Sequence, residues 1–161
     1  MSFQLIGLPS EPFAALFELS DRALAEIDAQ RVIATEKPGF PCRISLEDAE
    51  IGEELLLLPY AHQPARSPYR AAGPIFVRKS ARQCRLAPGV IPDYVRLRQM
   101  SVRAYDAAHL MIDAAVCEGK DTAPTILRMF DNPDVAYLHL HNAKRGCFSC
   151  RVDLNPRGEV R

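Results

Sequence analysis

The sequence has no excess charge of either sign: 20 lysines and arginines stand against 20 aspartates and glutamates. A dedicated nucleic-acid binder needs a basic surface to neutralise phosphates, so that class is set aside. No positive charge precedes the short apolar stretch in MSFQLIGLPSEPF, which therefore reads as a first strand and not as a secretory signal. No later segment approaches the roughly 20 apolar residues of a membrane helix. The longest pure apolar run, LLLLPY from Leu55, is strand-sized. These absences lead to the expectation of a cytoplasmic protein with no membrane and no nucleic-acid partner. Its five cysteines, an odd number, are then expected to be reduced rather than tied in a disulfide framework. Also missing are internal repeats, a phosphate-binding glycine loop, a nucleophile elbow and a paired metal motif.

What is present is the balance of a soluble globular protein, 48% hydrophobic and 25% charged. At 161 residues the chain fits one domain, 1–161, with a single core. Thirteen prolines outnumber eight glycines and gather between residues 38 and 92, which predicts ordered but irregular loops in the middle of the chain.

Alternation and turn residues give the elements. Phe3–Leu8 reads as a strand, and Pro12 suits the first turn of a short helix over PFAALFEL. Ser20 is a good N-cap for a helix over DRALAEIDA. RVIAT, CRISL, EELLLLPY and IFVRK read as strands, the second and third as a hairpin through EDAEIG. From Pro59 to Pro74 no usable periodicity remains, so a long loop is expected there. YVRLRQMSVRAYDAAHLMIDAAVC reads as two antiparallel strands whose phase slips near Gln99, as a bulge would cause. DTAPTILRMFDNP reads as a helix with Ile126, Leu127 and Phe130 on one face. The expected fold class is α+β, a mostly antiparallel sheet built from hairpins with two or three short helices.

The last hairpin, VAYLHLH followed by CFSCRVDL, carries the residues richest in chemistry. Alternation sends Tyr137, His139 and His141 to one face and Leu138 and Leu140 to the other. The simplest register sets His141 across from Cys147, His139 across from Ser149 and Tyr137 across from Arg151. Cys147 and Cys150 then fall on opposite faces, so the two histidines and two cysteines do not make a four-ligand zinc site. Leu140 then meets Phe148 and Leu138 meets Cys150 as core pairs, and Cys150 reads as a small buried hydrophobe. His139, His141 and Cys147 would suit an open metal site, but alternation alone does not require one, and neither a metal nor another cofactor is assigned. His141 beside Cys147 would instead lower the thiol's pKa and make a nucleophile. In the central loop Tyr60, His62, Arg66, Tyr69 and Arg70 lie within eleven positions, and arginines with tyrosines on a proline-stiffened loop suit an anionic or planar small molecule. Asp106, His109 and Asp113 surround a turn, which turn-forming aspartates explain more cheaply than a hydrolytic cluster.

Four stretches, GFPCRISLEDAEIGEELLLLPY, SPYRAAGPIFV, SVRAYDAAHLMIDAAV and HNAKRGCFSCRVD, together resemble the bacterial domain-of-unknown-function family DUF1203. The resemblance runs along nearly the whole chain. It implies a small stand-alone bacterial protein, and it places Gly146, Cys147, Phe148 and Arg151 in the family's C-terminal pattern. It implies no activity, cofactor or catalytic residue.

Three functional readings follow. A small-molecule binding domain would hold an anionic ligand with Tyr69, Arg70, His139 and Arg151, in a cleft between the C-terminal hairpin and the 60–73 loop. An enzyme would use the catalytic pair Cys147 and His141. An interaction subunit would meet a partner through its loop and sheet edge, a homodimer being the simplest case.

Overall fold

The computed structural model describes residues 2–155 as two five-stranded sheets with short helices packed against them. In chain order the elements are β1 (Ser2–Ile6), α1 (Glu11–Ala14), α2 (Asp21–Ala25), β2 (Gln30–Ile33), β3 (Pro41–Cys42), β4 (Glu47–Asp48), β5 (Glu54–Gln63) and β6 (Ala71–Arg78). There follow α3 (Asp93–Arg96), β7 (Gln99–Tyr105), β8 (Met111–Glu118), α4 (Thr122–Phe130), β9 (Tyr137–Asn142) and β10 (Phe148–Asn155). One sheet runs β1-β10-β9-β7-β8 and the other β2-β5-β6-β3-β4. Every pairing is antiparallel except that of β3 with β6. The class is α+β, as the alternation predicts. No helix among the described residues is long and apolar enough to cross a membrane.

Each sheet buries its own apolar face. Phe3, Leu5, Val102, Ala104, Leu138, Leu140, Cys150 and Val152 meet Tyr94, Ile126 and Phe130 of the helices beneath the first sheet. Phe13, Phe17 and Leu24 pack on Leu56, Leu58, Ile75 and Val77 of the second. Each such fully buried side chain contributes about 1.5–3 kcal/mol. Ser20 caps α2 through Ala23 N at 3.2 Å, as its sequence position predicts. The two sheets meet closely at the end of β1, where a Cβ on Gly7 would stand 2.0 Å from the Ile44 carbonyl. Leu8 N donates to the Arg43 carbonyl there, at 2.8 Å.

Several expected elements change. The strand expected over CRISL stops at Cys42, and β3 pairs with β4 and β6 instead of forming a hairpin with β5. The long loop shrinks to residues 64–70, because β5 runs on to Gln63 and β6 begins at Ala71. The phase slip before Gln99 comes from a helical turn, α3, which buries Tyr94 and Val95; the bulge in this hairpin falls at Ala104/Tyr105. In α4 the buried apolar set is Ile126, Met129 and Phe130, while Leu127 is 38% exposed.

The register of the last hairpin also changes. His141 stands across from Phe148, not Cys147; His139 faces Arg151, and Leu140 faces Cys150. A bulge between Phe148 and Cys150 causes the shift. The residue inside it, Ser149, is fully buried and donates its hydroxyl to the Tyr94 hydroxyl at 3.0 Å. That bond satisfies two buried hydroxyls at once and holds the extra residue in place.

Candidate functional site

One face of β9 is apolar, and the other carries Tyr137, His139 and His141. Cross-strand partners share a face, so Arg103 of β7 and Arg151 of β10 flank His139 in one row. Tyr105 pairs with Tyr137, and its ring stacks on Tyr137 at 5.3 Å between centroids. Sequence alternation puts Tyr137, His139 and His141 together correctly. It does not show that the face is covered: His139 is 3% exposed and His141 0%.

The cover is the end of β5. Leu56, Leu58, Tyr60 and His62 alternate along this strand; the leucines enter the core of the second sheet. Tyr60 continues that line to Phe148, 6.1 Å between rings. His62 then reaches the first sheet, stacked on Phe148 at 5.4 Å and 8°, with His141 edge-on at 5.0 Å and His139 at 6.3 Å. Next to it, Gln63 donates to the Tyr137 hydroxyl at 2.8 Å. On the other side His109 Nδ1 shares a 2.8 Å hydrogen bond with the same hydroxyl. His109 has a left-handed backbone (φ 63°) in a turn that Asp106 stabilises by accepting from Ala108 N and Leu110 N. The 64–70 loop rests on this end of the sheet through Ser67, which donates to the His109 carbonyl, and through Tyr69, edge-on to Tyr105 at 6.4 Å.

The histidine layer is neutral and incompletely bonded. His141 Nδ1 lies 2.9 Å from the Gly146 carbonyl. A carbonyl only accepts, so Nδ1 carries the proton and Nε2 keeps its lone pair. That Nε2 is buried without a partner, as are His62 Nδ1 and His139 Nδ1. Burial, followed by the neighbouring His141 and His62 and by Arg151 and Arg103, holds His139 down at about 3. Burial likewise holds His141 at about 3, against a partial rise from the Gly146 hydrogen bond. His62 is lowered too, by burial and then by Arg103. The arginines differ in their ties. Arg151 binds Asp153 at 2.7 Å and lies over the Tyr137 ring at 4.1 Å. Arg103 Nε donates to Ser101 Oγ at 3.3 Å and has no ion-pair partner among the described residues.

The other sequence candidates lie apart or at the edge. Cys147 follows Gly146 in the turn, half-buried, with its Sγ 3.9 Å from the Arg145 carbonyl. Cys150 is 1% exposed in the first core, and burial pushes its thiol up to about 12, as befits a packed hydrophobe. Arg70 is exposed at the end of the 64–70 loop. Arg43 is buried and ties the sheets together, donating to the Phe148 and Pro41 carbonyls. Sequence reasoning counted His62 among the loop residues and passed over Arg103. The alternation Leu56, Leu58, Tyr60, His62 was the signal for the first, and Ser101, Arg103, Tyr105 opposite Met100, Val102, Ala104 was the signal for the second.

Surface grooves lie elsewhere. One of about 460 Å³ runs between Lys37–Glu50 and α3, with acidic and basic side chains mixed along it. Among known proteins, residues 39–153 match the model of a family described as "Protein of unknown function (DUF1203)". No curated protein and no solved structure matches the chain.

Proposed function

The chain belongs to the DUF1203 family, and from the site geometry we propose that it binds a small anionic molecule over the row Arg103–His139–Arg151. The observation that carries this is the charge of the row. The charged groups acting on His139 are Arg151 and Arg103, and among the described residues only Arg151 has a carboxylate partner, the half-buried Asp153. Two guanidiniums flanking a neutral imidazole offer a fork of donors to a carboxylate or phosphate. The half-exposed Tyr69, edge-on to the buried Tyr105, supplies a flat wall beside it, which suits a planar ligand. The inner part of the layer is closed, so the anion sits at the Arg103 and Arg151 rim.

Calorimetric titration with benzoate, phenyl phosphate and inorganic phosphate tests this. The expected result is binding of at least one of the three, weakened tenfold or more in both Arg103→Met and Arg151→Met and weakened by added salt. Circular dichroism checks that the variants are folded. Affinities unchanged in the variants, or no binding of any probe, would overturn the proposal.

A further inference from the structure

The outer edges of the two sheets are guarded unequally. Leu86 N donates to the Leu5 carbonyl and Gly89 N to the Phe3 carbonyl, at 3.3 and 2.8 Å, so the 84–89 segment covers the edge of β1. In the second sheet the outer strands are short, β2 with four residues and β4 with two. β8 is different. It has eight residues, pairs only with β7 among the described residues, and its MIDAAVCE holds neither lysine nor proline to deter another strand. Its outward face is an apolar stripe of Ile112, Ala114 and Val116, all exposed, Val116 at 62%.

Ladder parity fixes which backbone groups of β8 face solvent. Gln99 and Tyr105 of β7 turn their carbonyls towards β9, accepting from Ala143 N and Ala136 N at 2.9 and 2.8 Å. In an antiparallel ladder the N–H and C=O of one residue point the same way, and the direction alternates along the strand. Met100, Val102 and Ala104 therefore face β8, and their partners Cys117, Ala115 and Asp113 face back. That leaves Ala114, Val116 and Glu118 pointing outward. The Ala114 amide agrees with this phase, since it donates to the Asp113 carboxylate at 2.8 Å. Ile112 is the extra residue of the bulge at Ala104/Tyr105 and falls out of phase.

We infer that β8 pairs antiparallel with β8 of a second copy about a two-fold axis at Val116, joining two first sheets into one. A two-fold axis on the outward positions allows three registers. Centring on Ala114 sets the bulged Ile112 opposite Val116 and interrupts the ladder. Centring on Glu118 sets two like carboxylates against each other, which is unfavourable. Centring on Val116 packs the two Val116 side chains together and places each Glu118 across from the other copy's Ala114. This register also brings Lys120, exposed in the helical turn after β8, towards Asp113 of the second copy, opposite charge to opposite charge. The Val116 N–H and C=O, the Glu118 N–H and the Ala114 C=O all gain partners, about four hydrogen bonds in the dimer. The Ala114 amide, already held by Asp113, needs none. The equal numbers of acidic and basic residues add no net repulsion between copies. A contact one strand wide belongs with weak, reversible assemblies.

Sedimentation velocity on the intact protein from about 5 to about 500 µM tests this. The expected result is monomer at the low end and mostly dimer at the high end. Val116→Lys, a change at an exposed side chain whose folding circular dichroism checks, should weaken dimerisation at least tenfold. Ile51→Lys, at an exposed apolar side chain before β5, should leave it unchanged. Hydrogen exchange of the wild-type protein needs no variant to fold: the Val116 and Glu118 amides should slow at least twofold from the low to the high concentration. Monomer throughout the range would overturn the inference and leave this edge to solvent or to another chain. A dimer that survives Val116→Lys, or one whose Val116 amide exchanges as fast as in the monomer, would also overturn it, because the contact would then lie on another face.

Discussion

The two faces of β9 are equally buried and differ in everything else. One face places Leu138 and Leu140 among Val102, Ala104, Cys150 and Val152, where each contact is apolar and no hydrogen bond is owed. The other places Tyr137, His139 and His141 among Arg103, Arg151, Tyr105, Phe148 and His62. The apolar face returns free energy for every square ångström buried. The polar face dehydrates three imidazoles and leaves one nitrogen on each unbonded. A chain selected only to fold would fill that space with leucine and phenylalanine. The contrast separates a face whose every contact is apolar from one that buries polar atoms and leaves some of them unbonded.

Substitutions on the two faces sharpen the comparison. Leu140→Ala should have the largest effect, a loss of about 2–5 kcal/mol in denaturant unfolding, because a cavity opens where the residue is wholly buried. Acid comes next. His139 and His141 sit at about 3 in the folded protein, against an ordinary value of 6.5. Between those values the unfolded chain takes up protons that the folded one refuses, so their contribution is intact above pH 6.5 and is lost as pH falls towards 3. Unfolding measured from pH 7 to 4 should therefore show a steep loss of stability, and the double variant His139→Leu/His141→Leu should flatten it. The groups facing these rings, Arg103 and Arg43 together with His62 and Arg151, bring no carboxylate that would reverse the sign.

Tyr137→Phe is smaller in effect, about 1–3 kcal/mol, since it strands Gln63 Nε2 and His109 Nδ1 where both now meet one hydroxyl. Ser149→Ala should cost about 1 kcal/mol by leaving the Tyr94 hydroxyl alone in the core. If it also relaxes the bulge, the amide exchange pattern of β10 will shift by one residue from Phe148 onward.

Much of this contrast was legible in the sequence, because a strand of period 2 declares its two faces wherever it is regular. Tyr137, His139 and His141 separate from Leu138 and Leu140 by that rule alone, and Cys150 joins the core side, but Phe148, which the same rule sends to the core, stands on the histidine face. The rule fails on β10 because one residue is extra, and that residue is fixed by Tyr94, fifty-five positions away. No local pattern contains such a contact. Pairing His141 with Cys147 followed from the missed bulge, which puts Phe148 across from the imidazole. His62 escaped for a different reason. Pro59 and the composition of residues 59–74 suggest a loop, but at position 59 the strand simply continues, facing Pro74 across the hairpin. The helical turn at Asp93–Arg96 was hidden in the same way, its Val95 and Leu97 imitating strand alternation. That the second sheet would close over the histidines is tertiary information, and composition does not hold it.

The most direct measurement is the unfolding free energy of His139→Leu set beside that of the wild-type protein at pH 7. If the polar face is kept for binding, an apolar side chain of similar volume there leaves stability within about 1 kcal/mol of wild type or raises it. A loss of several kcal/mol, as large as that of Leu140→Ala, would mean that the histidine layer holds the fold, and would contradict the account.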